Sequence, residues 1–512
     1  MVRTGKMEGS AMKRLFAFIG ALMALAACNN GFIDGPAAPV SDGQVKVNLT
    51  INRSDVFGAS PDTKASVKND WADGDVVFVF FNGIAAPKYL EMKYNGGTWT
   101  STFKNGLSAS DLGASGTMTA VYFPYGNDAV VAADGNDFIF NDMVYAGVFL
   151  QTEQVGYTYE NDELGGVLNM AAPALEDSAE KYIHFDVSGY ADGHTYALYQ
   201  KNVKPVAFNG VLSSGKVSFT EGKAGMAVTG YIDAANGIVS FSGILDASVV
   251  GKAVDYQFSV NDETASVLYT RDAGKKTLNS SKYIGLGDLT GEKWIATEYV
   301  YMGFDTASGE KLYWATKNLG ATSPTDFGDF FAWMKTDGHS MVMRLIVEGD
   351  FYFQDYDLDY RFNEENYDSN DNYGDPASAA LKGLWRMPTE KEFSALINST
   401  SQAYSEDSNR VGMMTFTSNV SGYEDRSLCF PAGLFSRYYP TTSFNYGFYW
   451  SSFSLSDTDG VILYFDPENV ALASRTKYYG MLVRPVFTIG LAGDDYTDVP
   501  DFEEIVIVDW TL

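Results

Sequence analysis

The sequence predicts a mainly β protein in which two β-sandwich domains are followed by an α+β domain. The chain contains 33 Tyr, 34 Phe and 50 Gly, a composition that favours strands and turns over long helices. Short apolar segments separated by Gly, Asn and Asp turns recur up to about residue 290, which is typical of sandwiches. Beyond that point, capping signals for two short helices occur among further strands.

A chain of 512 residues has room for about three domains. Changes in composition along the sequence place the boundaries. The predicted segments are an export signal at 1–28, a spacer at 29–44, sandwiches at 45–175 and 176–290, an α+β domain at 291–488, and a tail strand at 489–512.

The N-terminal segment has the features of a lipoprotein signal. Lys13 and Arg14 precede an uncharged apolar run, residues 15–27, that is too short to span a bilayer well. Residues 25–28 (Leu-Ala-Ala-Cys) resemble a lipobox, which makes Cys28 the predicted lipidation site. The alternative is a plain secretory signal that happens to end at a cysteine. We expect an exported chain tethered to the outer membrane by lipid.

Charge and residue counts exclude several classes of function. The net charge of −29 argues against binding nucleic acid or anionic membranes through a basic surface. If Cys28 is acylated, Cys429 has no partner for an intrachain disulfide. With three histidines in the chain, a His-rich zinc site or a His-centred hydrolytic site is hard to build. We predict no catalytic residue, no bound metal and no cofactor.

The first predicted sandwich begins with a clear alternating strand at 45–51. A β-branched and aromatic run at 76–81 predicts a buried strand. Residues 88–94 and 99–103 alternate on either side of a turn at Asn95-Gly96-Gly97 and predict a hairpin. In the second sandwich the predicted strands lie at 182–187, 225–232, 237–241 and 253–260.

Two helix starts are encoded in the last domain. Asp375 and Pro376 read as an N-cap and a first-turn proline. Thr389 and Glu392 have the spacing of a capping box, and an apolar i, i+3, i+4 face follows them. This region is therefore predicted to be α+β.

The first two blocks resemble the fimbrillin family of Bacteroidales, the lipoprotein-derived subunits of surface pili. The matching features are the lipobox at 25–28, the strand at 45–51, Thr63-Lys64-Ala65, Trp71 with Gly74-Asp75, Phe123-Pro124-Tyr125 and, more loosely, 254–260 and 274–278. The resemblance covers residues 45–290 and implies fimbrillin-like sandwiches, a cell-surface location and assembly with other pilus subunits.

The third block resembles the major-paralogue repeat domain common in Fibrobacter and Bacteroides surface proteins. The matching motifs are 314–321 (WATKNLGA), 328–333 (GDFFAW), 385–389 (WRMPT), 431–433 (PAG), 449–452 (YWSS) and 483–486 (VRPV). Such domains are similar to the C-type-lectin-like and formylglycine-generating-enzyme fold. The resemblance covers residues 291–488 and implies a fold and a surface setting, with no settled activity.

Arg53 directly follows the first predicted strand. The fimbrillin resemblance implies that a trypsin-like protease cuts after such an arginine, releases the lipid with that strand and opens a groove for a partner's strand. A simple surface arginine is the alternative. The apolar tail segment 504–510 could complete one of this chain's own sheets or be donated to a neighbouring subunit.

A Tyr-rich segment at 437–446 is the predicted ligand site. Aromatic faces pack on sugar C–H surfaces, and Asn or Arg groups can bond hydroxyls. The candidate glycan-binding residues are Arg437, Tyr438, Tyr439, Asn445 and Tyr446. An ordinary Tyr-rich loop is the alternative interpretation.

Other candidate sites are weaker. The acidic segment 368–374 fails as an EF-hand loop because Tyr373 occupies the glycine position and Ala379 the bidentate Glu position. Cys429 lacks the second thiol of formylglycine-generating chemistry, and Ser451-Ser452 lacks a nearby histidine base. We interpret Trp385, Arg386, Trp450 and Arg484 as packing and internal ion-pair residues.

These observations lead to one functional hypothesis and one alternative. The hypothesis is a pilus-associated, non-enzymatic adhesin, located at the tip or elsewhere in the pilus, that binds host or bacterial surface glycan or protein. Its other partners are pilus subunits, joined by strand exchange, and the outer membrane, joined by lipid. The alternative is an outer-membrane glycan-capture lipoprotein of a polysaccharide-uptake system.

Overall fold

The computed structural model describes most of the chain. The described residues are 45–54, 71–124, 130–141, 149–175, 177–234, 237–278, 282–340, 344–345, 351–352, 372–407, 411–433 and 445–489. Cys28, the spacer, residues 434–444 and the tail strand lie outside them. Among the described residues, no helix is long and apolar enough to cross a membrane.

The fold divides into two compact units. Unit 1 takes the chain up to Tyr256 together with Ala273–Glu292, and unit 2 comprises Gln257–Asp272 and the chain from Lys293 onward. The boundaries predicted at 175/176 and at 290/291 stay predictions. The chain passes from one unit to the other three times, after Tyr256, Asp272 and Glu292.

The first sheet of unit 1 is assembled from the N-terminal strands. They are β1 (Lys46–Arg53), β2 (Val76–Phe81), β3 (Tyr89–Asn95), β4 (Thr98–Lys104), β5 (Ser115–Tyr122), β8 (Leu150–Gln151), β9 (Val155–Glu160) and β10 (Glu163–Met170). Their order is β1-β10-β9-β5-β2-β3-β4, and β8 pairs with β5. β1 lies at one edge and pairs in parallel with β10. A 3-10 turn follows β4 at Ala109–Asp111.

The second sheet of unit 1 takes strands from a longer stretch of sequence. They are β6 (Val130–Asp134), β7 (Asp137–Asn141), β11 (Lys181–Ser188), β13 (Val203–Ser213), β14 (Lys216–Glu221), β16 (Tyr231–Asp233), β17 (Ile238–Leu245) and β20 (Lys282–Asp288). The order is β20-β11-β17-β13-β7-β6, with β14 on β13 and β16 on β17. The short strands β12 (Tyr196–Tyr199) and β15 (Val228–Thr229) pair with each other.

Alternation of residue type explains how these sheets pack. In β1, Val47, Leu49 and Ile51 are buried while their neighbours face outward, as a period-two strand requires. β2 is buried on both faces, which explains its unbroken apolar run. One hydrophobic cluster includes side chains of both sheets, among them Val79 and Ile244. The two sheets of unit 1 therefore share a core.

Unit 2 combines one larger sheet with several small ones. Strands β18 (Ala253–Asp262) and β19 (Val267–Thr277) each lie partly in unit 1 and partly in unit 2. The other described strands of unit 2 are β21 (Ile295–Asp305), β22 (Lys311–Ala315), β23 (Asp329–Phe330), β24 (His339–Ser340), β25 (Arg344–Leu345), β26 (Phe351–Tyr352), β27 (Thr400–Glu406), β28 (Gly412–Ser418), β29 (Ser427–Pro431), β30 (Gly447–Ser454), β31 (Asp459–Phe465), β32 (Val470–Thr476) and β33 (Val486–Ile489). Within unit 2, β19, β21, β22 and β33 are successive neighbours, and β27-β28-β29 and β30-β31-β32 form three-stranded sheets.

The two predicted helix starts are confirmed. Helix α1 (Pro376–Leu381) begins at Asp375, whose carboxylate accepts the backbone N–H groups of Ala377 and Ser378. Helix α2 (Glu390–Asn398) begins at Thr389 with the reciprocal capping box to Glu392. Each cap satisfies backbone donors that a helix N-terminus leaves without an internal partner.

The prediction of a mainly β fold with few helices is confirmed. The hairpin predicted around residues 95–97 is present, because β3 and β4 pair from Asn95↔Thr98 onward. Gly96 and Gly97 both have positive φ, at 56° and 85°, which a two-residue turn of this hand requires.

Candidate functional site

Two of the five predicted glycan-binding residues lie in the described part of the chain. Asn445 is partly buried and Tyr446 is exposed, immediately before β30. Arg437, Tyr438 and Tyr439 lie outside the described residues. The structure therefore positions one end of the predicted segment on a sheet of unit 2.

Tyr446 is held by a second aromatic side chain. Its ring is 44% exposed and stacks on Tyr464 of β31, with 6.4 Å between centroids and 21° between planes. Tyr464 in turn packs at 5.3 Å against Phe448 of β30. The exposed ring thus rests on an ordered β platform.

A carboxylate fixes the orientation of the supporting ring. The Tyr464 hydroxyl donates to Asp466 Oδ2 at 2.7 Å, and the other carboxylate oxygen accepts the backbone N–H groups of Glu468 and Asn469 at 2.7 and 2.8 Å. Partial burial raises the pKa of Asp466, but these hydrogen bonds outweigh it and lower the pKa below 3.8. Asp466 is therefore an anion at neutral pH.

A third tyrosine lies close to this group. Burial raises the pKa of Tyr404 on β27 to about 12, and the charges of Glu406, Asp466 and Tyr446 add to the effect. We call Tyr404, Tyr446, Tyr464 and Asp466 the tyrosine face. A fixed negative charge on this face disfavours an anionic ligand, so the exposed ring suits a neutral polyhydroxylated ligand better.

Arg53 is largely buried, at 9% exposure. Its guanidinium carbon lies 5.0 Å from the centroid of Trp71 and 5.6 Å from that of Tyr122. Trp71 also contacts Trp99 edge-on at 4.8 Å. We call Trp71 and Tyr122, together with Trp99 that contacts Trp71, the Arg53 cage, because aromatic faces attract a cation placed against them.

The peptide bond after Arg53 belongs to the sheet. Ser54 N donates to Met170 O at 2.8 Å, so the pairing of β1 with β10 continues across the bond that a trypsin-like protease would cut. Such a protease takes the arginine side chain into a pocket. Cleavage here requires Arg53 to leave its cage.

Motif residues of the third block are confirmed as packing residues. Trp385, Trp450 and Arg484 are at most 1% exposed. Arg484 donates to Asn318 Oδ1 and to the carbonyls of Ala315 and Cys429. Among the described residues Arg386 forms a bidentate ion pair with Glu392. The resemblance motifs thus supply internal structure.

Cys429 is a free thiol of intermediate exposure. Burial raises its pKa, and the nearby Arg484 opposes that rise. A raised pKa disfavours the reactive thiolate. This agrees with a packing role for the side chain.

Sequence reasoning missed a buried polar cluster in unit 1. His184 lies between Ser242 Oγ and Asp186 Oδ1, at 2.7 and 2.8 Å. Ser240 and Tyr283 also donate to the Asp186 carboxylate. The sequence signal is a pair of polar residues two positions apart on each of two mostly buried strands. The pairs are His184 and Asp186 on β11, and Ser240 and Ser242 on β17. All five side chains are at most 6% exposed, so the cluster is structural.

Metal ligation finds no support among the described residues, where no three His, Cys, Asp or Glu side chains form a group able to hold an ion. The acidic segment 368–371 lies outside these residues. So do Asp355, Asp357 and Asp359, whose carboxylates could supply further oxygen ligands.

The fold defines a class, a mainly β protein of several sheets with few helices. No family model matches the chain, and no curated protein matches it. It is similar to a candidate cell adhesion protein from Bacteroides fragilis NCTC 9343, with 12% identity and a TM-score of 0.23 over 54% of this chain and 96% of that one. It is also similar to a candidate adhesin from Bacteroides ovatus, with 11% identity and a TM-score of 0.22 over 52% and 91%. Likenesses this distant carry no argument about this chain.

Proposed function

We propose that this chain is a fimbrillin-type cell-surface lipoprotein that serves as a pilus-associated adhesin. Adhesion requires recognition and no chemistry, and the tyrosine face provides a recognition surface. The observation that carries the proposal is Tyr446, an exposed ring that stacks on Tyr464, whose hydroxyl donates to the anionic Asp466. We infer that this face binds a neutral glycan, with Arg437, Tyr438 and Tyr439 extending the contact.

A glycan array tests the adhesin proposal directly. Purified full-length protein should bind a restricted set of neutral glycans, and Tyr446→Ala should weaken that binding at least about tenfold, since an exposed aromatic anchor dominates small interfaces. Tyr373→Ala is the matched control, because Tyr373 is another exposed tyrosine of unit 2, at 51%. Absence of binding to glycans and surface proteins alike would falsify the proposal.

Assembly into a pilus forms the second part of the proposal. β1 is an edge strand whose described partner is β10 alone, so its removal would expose one row of backbone groups on β10. A partner's strand can add to such a row. In this proposal the lipid on Cys28 delivers the chain to the outer membrane, and cleavage after Arg53 frees it for assembly.

The alternative function is a glycan-capture lipoprotein that keeps its anchor. The specific observation in its favour is the burial of Arg53 in its cage and the continued pairing of Ser54. Both features protect the bond whose cleavage the pilus proposal needs.

Mass spectrometry of the mature N-terminus on cells distinguishes the two functions. An N-terminus at Ser54 supports the pilus subunit, and an acylated Cys28 supports the capture lipoprotein. Cells producing Arg53→Gln are the control, since they should lose the Ser54 terminus and retain Cys28. A Ser54 terminus that persists in Arg53→Gln cells counts against cleavage by a trypsin-like protease.

A further inference from the structure

Unit 1 contains a cleft that the proposed function does not use. Its volume is about 410 Å³, within the range of about 300–1,000 Å³ typical of small-ligand sites. The cleft opens between the β2–β3 loop, the β6–β7 turn and the β13–β14 turn. All of its lining residues belong to the described part of unit 1.

Hydrogen bonds from its loops to neighbouring strands and residues hold the frame of the cleft in place. Asn82 N donates to Thr117 O at 2.8 Å, which ties the β2–β3 loop to β5. Gln154 Nε2 donates to Ser214 O at 3.2 Å, and Thr119 Oγ1 donates to Gly215 O at 3.3 Å. These bonds fix the β13–β14 turn on the opposite wall. A preformed frame lowers the ordering cost of binding.

The floor of the cleft is aromatic. Phe80 of β2 and Phe138 of β7 lie 4.4 Å apart between ring centroids, and Leu212 of β13 completes the apolar surface. Both phenylalanines are otherwise well buried, at 3% and 6% exposure. The floor is therefore a fixed part of the core that is reached from the cleft.

The rim is polar and almost uncharged. Asn82, Asn136 and Gln154 present amide groups, and Asp137 is the one ionisable side chain among the lining residues. The side chains of Asn82, Asn136 and Asp137 form no hydrogen bond with the described residues. Amides can donate and accept together, as paired hydroxyl groups require. With no Lys, Arg or His in the lining, the cleft offers no counter-charge to an anion.

We propose that this cleft is a binding site for a neutral saccharide, independent of the tyrosine face. A sugar ring fits the volume, its C–H surface meets the accessible edges of Phe80 and Phe138, and its hydroxyls meet the amides of Asn82 and Asn136. The protein then engages glycan through unit 1 as well as through unit 2.

The test uses full-length Tyr446→Ala protein, in which binding at the tyrosine face is expected to be weakened at least about tenfold. Saturation-transfer NMR is recorded with D-glucose, D-galactose, D-mannose and N-acetylglucosamine, and with N-acetylneuraminate as the anionic comparator. At least one neutral sugar should give a signal and N-acetylneuraminate none. Substitutions in the cleft assign the signal to unit 1, so failure of the adhesin proposal leaves this result unaffected.

Matched substitutions locate the signal. Ala85→Trp places an indole in the cleft and should weaken binding at least about tenfold, whereas Thr102→Trp at an exposed position of β4 should not. Asn82→Ala with Asn136→Ala should weaken binding, and Asn95→Ala at an exposed turn should not. Circular dichroism checks folding. No neutral-sugar signal, a preference for the anionic sugar, or full binding by Ala85→Trp overturns the proposal.

Discussion

At the His184 imidazole both ring nitrogens have protein partners, Ser242 on one side and Asp186 on the other. Asp186 also accepts the hydroxyls of Ser240 and Tyr283. Removing the ring deprives the buried Ser242 hydroxyl and Asp186 carboxylate of a hydrogen-bond partner. A buried polar group that loses its partner destabilises the folded state by the cost of its desolvation.

His184→Ala should therefore lower the free energy of unfolding of unit 1 by about 1–3 kcal/mol. Chemical denaturation followed by tryptophan fluorescence measures the change. His194→Ala is the matched control, because His194 is only partly buried, and its loss should be smaller. Equal losses in the two variants would show that the cluster contributes nothing beyond ordinary packing.

The lowered pKa of Asp466 allows a prediction of how stability changes with acid. Its pKa in the folded protein is below 3.8, so the folded chain binds fewer protons than the unfolded chain in this range. The stability that the carboxylate contributes is present above its unfolded pKa and is lost as pH falls through the folded value. Asp466→Asn should flatten the loss of stability as pH falls below the ordinary Asp pKa of about 3.9.

Denaturation midpoints across that pH range measure the effect. Asp457→Asn, at an exposed position of the β30–β31 hairpin, is the control for removing a charge from the same sheet. An acid response of Asp466→Asn identical to that of the parent protein contradicts the assignment.

Among the elements, the β1 edge strand combines an exposed position in the sheet with a protected end. Trp71 covers Arg53 and itself contacts Trp99 and Tyr122. Trp71→Ala should open the cage and speed trypsin cleavage after Arg53 at least about tenfold, because local opening governs cutting of a folded chain. A trypsin time course read by mass spectrometry measures the rate.

The control for this substitution is Trp294→Ala, which removes a buried tryptophan of unit 2. It should leave the Arg53 cut slow. Rapid cleavage of the parent protein at Arg53 contradicts protection by the cage.

Helix α2 depends on its N-terminal cap. Thr389 Oγ1 accepts Glu392 N at 3.2 Å, and Glu392 Oε2 accepts Thr389 N at 2.8 Å. Thr389→Ala should destabilise unit 2 by about 1 kcal/mol, as measured by urea denaturation. Ser394→Ala within the same helix should change stability little, because alanine favours helix interiors. A similar loss in both variants would mean that the cap contributes nothing specific.

Local elements are predictable from sequence where local physics decides them. The alternation in β1, the turn after β3 and the caps of α1 and α2 are short-range patterns, and the structure confirms each. The Arg53 cage is not such a pattern, since Tyr122 reaches it from a strand far along the chain. The unit 1 cleft is likewise formed by three loops that lie far apart in the sequence, and no local motif marks it.

At the scale of the whole molecule, unit 2 includes a segment that lies before the predicted boundary at 290/291. Ser259 Oγ accepts Leu384 N at 3.0 Å, and Asn261 Oδ1 accepts the Tyr299 hydroxyl at 2.9 Å. Leu268 packs in a cluster with Trp385 and Phe487. Composition changes could not reveal this, because the contacts join residues far apart in sequence.

A fragment of residues 291–489 should therefore be much less stable than one of residues 257–489. The shorter fragment exposes the Trp385 cluster and leaves the Tyr299 hydroxyl without Asn261. Thermal unfolding of the two purified fragments measures the difference. Equal melting temperatures would mean that Gln257–Asp272 adds nothing to the stability of unit 2.

Because the chain crosses between the units three times, one proteolytic cut at a crossing need not release unit 2 from the rest of the protein. A cut after Glu292 leaves unit 2 made of two polypeptides, Gln257–Asp272 on one fragment and the chain from Lys293 on the other. The two remain associated by strand pairing between β19 and β21 for as long as unit 2 stays folded. A nick at this joint therefore does not shed the part of the protein that carries the tyrosine face.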